Sequence, residues 1–383
     1  MEVAIAGAAE VPHGRLSPLT PMMLHERLAR LALEDAGIAL GDVDALLTLS
    51  PRADSYLIHA AAVAEHMRIR PAIAFTLEVG GAAPEAMVDY ARLLIEGGTA
   101  KTVLIVAADM PLSVVSRNAY VQTLAEAGPV HPDLERPFGP SVPSMFGMVA
   151  RRYMAQYGAT EEDLAAVALH DRQAAALHPN AHFRAPLDFN QYRASPWIAE
   201  PLRLLDCSPV SDGGGAVVVT SLERARQCPR APVKVLGAGF SMGHLHLSAA
   251  PDLTSFQAGE ALGHALGAAA LTRDDIDVAL VYDCFSIALL INIEDLGFAQ
   301  KGEAGRAFRN GDFGLNGRLP VNTHGGLLSH GYPGRAASFG NLVEAVAQIR
   351  GEAGARQVRD AQVALVHGMG GVFATHGVLL LGR

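Results

Sequence analysis

The chain has 383 residues, of which 50% are hydrophobic and 18% charged, with a formal net charge of −9. That is enough for two ordinary domains or one large two-part fold with a substantial core, and the acidic balance excludes nucleic acid as the main partner and leaves any anionic ligand to local groups. No run of 18 apolar residues is uninterrupted: the most apolar stretch, 278–293, contains Asp283 and follows Asp277, so no membrane span is expected.

The first residues, MEVAIAGAAE, have no basic region ahead of their apolar part and read as an opening strand over 2–8, not as a signal peptide. A helix over 22–36, a strand over 43–49, a strand over 73–79 and a helix over 85–96 ending at Gly97 and Gly98 follow. KTVLIVAAD at 101–109 is a near-continuous apolar strand, as a sheet covered on both faces requires. The alternation defines an α/β class. From 110 to 209 prolines, histidines and arginines mix with short helical patterns at 145–157 and 161–177, which reads as an inserted subdomain. The sheet resumes at 212–221. The pattern then starts again: a strand over 232–240, a helix over 256–266, and ALTRDDIDVALVYD at 270–283, which echoes IALGDVDALLTLS at 38–50. The strands at 362–371 and 377–383 parallel 101–109 and 215–221, with a tight turn in place of the insertion. Two similar α/β halves are expected, 1–225 with the insertion at 110–209, and 230–383. Cys207, Cys228 and Cys284 show no metal spacing and suit a reducing cytoplasm.

The densest functional signal is PVNTHGGLLSHGYPGRAASFG at 320–340. Gly325, Gly326, Gly331 and Gly334 permit close backbone approach and positive φ. Pro333 fixes a turn and keeps Tyr332 out of helical geometry, so its phenol is expected to be presented to a ligand. Tyr282 ends an apolar strand in YDCF, and His367 stands at a strand end in HGMGG, a rigid place for a reactive side chain.

The segment at 320–340 resembles the thiolase motif N-x-x-GG-x-x-x-x-GHP-x-G, with Tyr332 in the place of a histidine. Together with PLRLLDCSPVSDGGGAVVV at 201–219, YDCF and HGMGG, it makes the chain similar over its whole length to the sterol-carrier-protein-X type of the thiolase superfamily. The resemblance implies two tandem α/β halves in an αβαβα layering. It implies a nucleophile position near Gly81 in VGGAAPE, where no Cys, Ser or Thr stands, so a covalent acyl-enzyme has no anchor. Tyr282, Tyr332 and His367 can still move protons and hold an oxyanion. The pattern is thus similar to the thiolase-like aldolases of steroid side-chain degradation, which cleave a β-hydroxyacyl-CoA through an enolate. Tyr332, Tyr282 and His367 are the expected catalytic residues, with Gly325, Gly326, His330, Gly331, Gly81 and Ala82 lining the substrate.

CoA is expected only as part of an acyl-CoA substrate, with no permanently bound cofactor. Arg151, Arg152, Arg172, Arg184 and Arg193 are candidates for its phosphates. By resemblance the partners are a second copy of the chain and a small zinc-ribbon/OB-fold subunit. Asp283 reads as a cap, Cys284 as an inert buried thiol, and His324 as a loop residue. His244 and His246 lack a third ligand, so no metal site is expected. Two alternatives remain: a non-catalytic acyl-CoA or lipid-binding scaffold, and an acyltransferase whose nucleophile has moved, for instance to Cys284.

Overall fold

Strands that are apolar on both faces set the architecture. β4 (Thr102–Asp109) is buried at every position. It pairs in parallel with β2 (Ala45–Thr48), which pairs in parallel with β3 (Ile73–Thr76), and antiparallel with β7 (Gly213–Ser221); β7 in turn pairs antiparallel with β1 (Val3–Glu10). The second run consists of β8 (Val233–Met242), β11 (Thr375–Gly382), β10 (Val363–Gly370) and β9 (Val278–Val281). The two runs meet through Ala4–Lys234 and Ile5–Val233, giving a nine-stranded order β3-β2-β4-β7-β1-β8-β11-β10-β9. This computed structural model describes residues 1–54, 56–116, 119 and 130–383; residues 117–118 and 120–129 of the expected insertion lie outside the described residues.

The layering follows from which side chains share a core. Leu47 and Val103 of the first run, and Leu280, Val366 and Leu379 of the second, pack on the same two helices, Ala83–Glu96 and Phe339–Arg350, which form a middle layer. Helices Pro21–Ala36 and His59–His66 cover the other face of the first run. Ala258–Ala269 and Ser286–Asp295 cover the second. The arrangement is the expected α/β fold in five layers.

Several local differences from the sequence expectation have simple causes. β3 stops at Thr76, short of 79, because its ladder partner β2 ends at Thr48. The following helix starts at Ala83, two residues before the expected 85, since Pro84 costs nothing in a first turn whose N–H groups have no partner. Helix His59–His66 was not foreseen; its alanine-rich sequence lacks a distinct apolar stripe. The apolar stretch at 278–293 divides into β9 and a helix buried on all sides, which explains its composition. No helix among the described residues is long and apolar enough to cross a membrane.

The insertion between β4 and β7 includes helices Val142–Tyr157 and Glu161–Ala175 and a hairpin of β5 (Trp197–Ala199) and β6 (Leu202–Arg203). Thr160 and Asp163 form a reciprocal cap, and Glu161, Glu162 and Asp163 lie in the first turn, where the helix dipole favours acids. Met145, Phe146, Val149, Tyr153 and Leu164 join the core beneath Leu290 and Leu380, so the insertion is packed onto the second run of strands.

Candidate active site

The two tyrosines of the sequence argument are brought together. Tyr282 follows β9; its N–H donates to the His367 carbonyl at 3.2 Å, and its own carbonyl accepts from Asn292 Nδ2 at 3.0 Å. Tyr332 enters from the 320–340 segment, its N–H to Ser211 Oγ at 3.3 Å and its carbonyl accepting the Ser211 N–H at 3.1 Å. The Tyr282 hydroxyl donates to the Tyr332 hydroxyl at 3.3 Å. This is longer than an ordinary O–H···O bond, whose usual length is about 2.7–2.8 Å. Tyr282 is buried and Tyr332 half-buried. Burial, and to a lesser extent Cys284, raise the Tyr332 phenol above its ordinary value of 10.0, so it rests protonated.

The segment carrying Tyr332 is shaped by backbone conformations that its glycines allow. Gly325 and Gly326 have φ of +104° and +58°, and Gly326–His330 forms a single π-helical turn, a feature frequent at functional sites. Asn322 is bound to β9 at both ends of its amide, accepting from Val281 N at 2.7 Å and donating to Val281 O at 2.9 Å. The carboxylate of Asp283 accepts the N–H groups of Leu327 at 2.8 Å and Leu328 at 3.1 Å. Asp283 is therefore a cap, on the π turn.

Gly81 lies against the Tyr282 ring. A Cβ there would fall 2.7 Å from Tyr282 Cζ, closer still to Cε2, and against the Met369 carbonyl. The Gly81 carbonyl accepts a short bond from Ser338 Oγ, and the following Ala82 is buried. The Tyr282 ring thus fills the space that any side chain at position 81 would need.

His367 is fully buried on β10, and its Nε2 faces His376 Nδ1 on β11 at 3.0 Å. One of these two facing nitrogens donates and the other accepts, while His367 Nδ1 and His376 Nε2 have no hydrogen-bond partner among the described residues. Burial holds His367 well below its ordinary range, so the ring is neutral at physiological pH. His376 was missed by the sequence reading: a lone histidine in ATHGV carries no local signal.

His330 is buried, with Nε2 3.1 Å from Glu10 Oε2, in a cluster with His13, His178 and His324. His178 Nε2 lies 3.5 Å from Glu10 Oε1. Its Nδ1 accepts the Asn180 N–H at 3.1 Å, so neutral His178 carries its proton on the Nε2 that faces Glu10. Glu10, His178 and His330 have the proximity of metal ligands. Gly331 packs on His13, its φ at +144°.

Cys284 is buried and its thiol pushed well above its ordinary value, by burial first and then by Asp283 and Cys207. Such a thiol does not supply a thiolate nucleophile. Of the candidate arginines, Arg151 pairs with Glu200 at 2.7 Å, Arg172 Nε donates to Ser329 Oγ at 3.0 Å, and Arg193 stacks on Phe189. Arg151 and Arg152 line a surface groove of about 590 Å³ with Met148 and Ala199.

Glu85 also escaped the sequence reading. It sits one turn beyond Gly81, fully buried, with no side-chain partner for either carboxyl oxygen among the described residues and Gly368 against Oε2. Burial raises it from 4.5 to about 8. Between those values the native state keeps a proton that the unfolded chain has lost, so Glu85 makes stability fall as pH rises from about 4.5 to 8. Glu85→Gln is expected to raise the melting temperature by a few degrees at pH 8 and hardly at all near pH 4. Equal shifts at both pH values would show that Glu85 is ionised in the native state or otherwise paired.

Paired α/β halves that bring two phenols together beside a glycine at the mouth of a middle-layer helix place the chain in the class of thiolase-fold proteins. Residues 239–383 match the family model "Thiolase C-terminal domain-like". The chain is 33% identical to the acetyl-CoA acetyltransferase of Methanothermobacter thermautotrophicus over the full length of both, and 35% identical to the steroid side-chain-cleaving aldolase of Thermomonospora curvata over 91% of this chain and 90% of that one. The solved Ltp2–ChsH2 aldolase superimposes with a TM-score of 0.87 at 32% identity, covering 100% of this chain and 98% of that one. The chain belongs to the thiolase superfamily, in its sterol-carrier-protein-like, aldolase-containing branch.

Proposed function

We propose that this protein is a carbon–carbon lyase, a retro-aldolase that cleaves a β-hydroxyacyl-CoA through a thioester enolate without an acyl-enzyme. The observation that carries it is the ring of Tyr282 seated on Gly81 and hydrogen-bonded to Tyr332: the covalent position is occupied by a proton-transfer group. Aldolase relatives of similar length support the reaction class.

The two neutral phenols suffice for the proton balance. The transfers are concerted: as the substrate's β-hydroxyl proton passes to the Tyr282 oxygen, the Tyr282 proton moves to the Tyr332 oxygen and the Tyr332 proton leaves toward the α-carbon, so neither phenol ever carries two protons. The Cα–Cβ bond breaks in the same event, the β-carbon leaves as a ketone or aldehyde, and the α-carbon, with enolate character, takes the Tyr332 proton. Both tyrosines return to their starting state and no external base is consumed. His367, a neutral imidazole, serves as the hydrogen-bond donor to the thioester oxygen as negative charge develops there. Gly81, Gly325, Gly326 and Gly331 let Tyr282, Ala175, Asp283 and His13 pack against the backbone beside Ala82 and His330, and the wall so formed is the one the acyl chain would lie against. CoA enters with the substrate, and a steroid-borne side chain is the acyl group the aldolase relative suggests.

Among the described residues β3 is the last strand of the sheet and its outer edge has no strand partner, with Phe75 half exposed and Val79 just beyond its end, which supports a pair of chains joined at that edge. A small zinc-ribbon/OB-fold subunit is the further partner; the solved neighbour is a complex with ChsH2. The test is to incubate the chain, with that subunit, with a β-hydroxyacyl-CoA and to follow CoA esters by mass. Equal amounts of a shortened acyl-CoA and a carbonyl product are expected. An acyl adduct on the chain without a shortened ester would turn the reading to acyl transfer, and a single-chain mass for the same preparation in solution would remove the pairing.

A further inference from the structure

Beside the tyrosines lies a second pair of acidic groups, on which the chemistry proposed above makes no demand. Asp171, in the last turns of helix Glu161–Ala175, and Asp283, next to Tyr282, are both fully buried. Asp283 already accepts the Leu327 and Leu328 N–H groups. Among the described residues neither oxygen of Asp171 has a hydrogen-bond donor, and the Asp283 carboxyl and the Asn322 amide are its polar side-chain neighbours. Two neighbouring carboxyl groups in the interior disfavour a second charge, so one of them keeps its proton. Asp171 has the carboxyl without N–H donors, and its burial and Asp283 both raise it, which leaves the charge on Asp283.

The same helix holds the π turn at two further points. A Cβ on Gly325 would fall 2.7 Å from Ala175 Cα, and Arg172 Nε donates to Ser329 Oγ at 3.0 Å. A Cβ on Gly326 would fall 2.7 Å from Asp283 Cγ. The charged or titratable groups facing the pair are Arg172 from the helix and Cys284 from the strand end.

We propose that Asp171 and Asp283 are positioning residues: a buried carboxyl pair that clamps the Gly326–His330 turn to the end of β9 and so fixes the distance between the Tyr282 and Tyr332 hydroxyls. The inserted segment thereby sets the geometry of a site whose tyrosines both lie outside it. This rests on the lyase reading for its effect on rate, but not for its effect on the turn.

The test uses the full chain with its partner subunit and two readouts. Asp283→Asn puts an amide NH₂ against backbone N–H donors; kcat is expected to fall about 10–100-fold with KM changed less than about threefold, the scale of a small misplacement of reacting groups. Asp171→Leu is expected to fall comparably, and Asp171→Asn, which still offers Asp283 a donor, to recover most of that loss. In the wild type kcat is expected to decline at alkaline pH as the proton kept by the pair leaves, a limb that Asp171→Asn removes. Hydrogen exchange of the peptide containing Leu327 and Leu328 supplies the readout independent of turnover: faster exchange is expected in Asp283→Asn, and in the wild type along the same alkaline limb. If no substrate is turned over, the exchange result still decides on the clamp. Wild-type exchange in Asp283→Asn, or equal losses in Asp171→Asn and Asp171→Leu, would overturn it.

Discussion

Tyr332→Phe is expected to lower kcat by about 10²–10⁴-fold, the range over which a positioned proton-transfer group contributes. The substitution removes one oxygen and leaves the ring. The backbone at this position is held by Ser211 through both its N–H and its carbonyl, so the segment keeps its place. KM should stay within a few-fold, because the phenol moves a proton in the transition state and does little to bind the ground state. Tyr282→Phe should cost a similar factor. The double variant should be no worse than the poorer single one, since each phenol is useless to the relay without the other. Steady-state kinetics on the three variants checks all of this, and a Tyr332→Phe enzyme within threefold of wild type would remove the relay.

Gly81→Cys should not create a thiolase. The new side chain has no space: its Cβ is directed into the Tyr282 ring and the Met369 carbonyl. Either the ring swings away or the helix start shifts. The first breaks the hydroxyl pair and the second strains a turn anchored by Ser338 on the Gly81 carbonyl. Overpacking of this kind typically costs about 1–3 kcal/mol of stability. The expected result is at least a hundredfold loss of lyase turnover, on the scale that misplacing reacting groups allows, together with a lower melting temperature and no acyl adduct by mass spectrometry after exposure to acyl-CoA. An adduct at position 81 with Tyr282 undisturbed would mean that the ring and the glycine are not interlocked.

The fold was legible because its signals are local and repeated. TVLIVAAD could only be a strand covered on both sides, and the echo of 38–50 in 270–283 exposed the second half. The glycines around Tyr332 announced a backbone that other residues do not adopt, and φ of +104° at Gly325 and +58° at Gly326 is that backbone. What stayed hidden depends on contacts across the chain. Asp171 reads as an ordinary polar residue in a helix, and nothing nearby says that it meets Asp283 more than a hundred positions away. Glu85 occupies a first-turn position where acids are common and usually solvated. Here Gly368 and Gly377 of the sheet leave just enough room for it to be buried. His376 became visible only when the pairing of β10 with β11 put it beside His367.

The contact between Gly81 and Tyr282 also bears on how such an enzyme could change over generations. A sulfur introduced at 81 is expected to be harmful while the tyrosine is present, and trimming the tyrosine harmful while the site has no sulfur. A fitness valley therefore separates the two arrangements, and selection acting one mutation at a time would keep a lineage on the side where it stands.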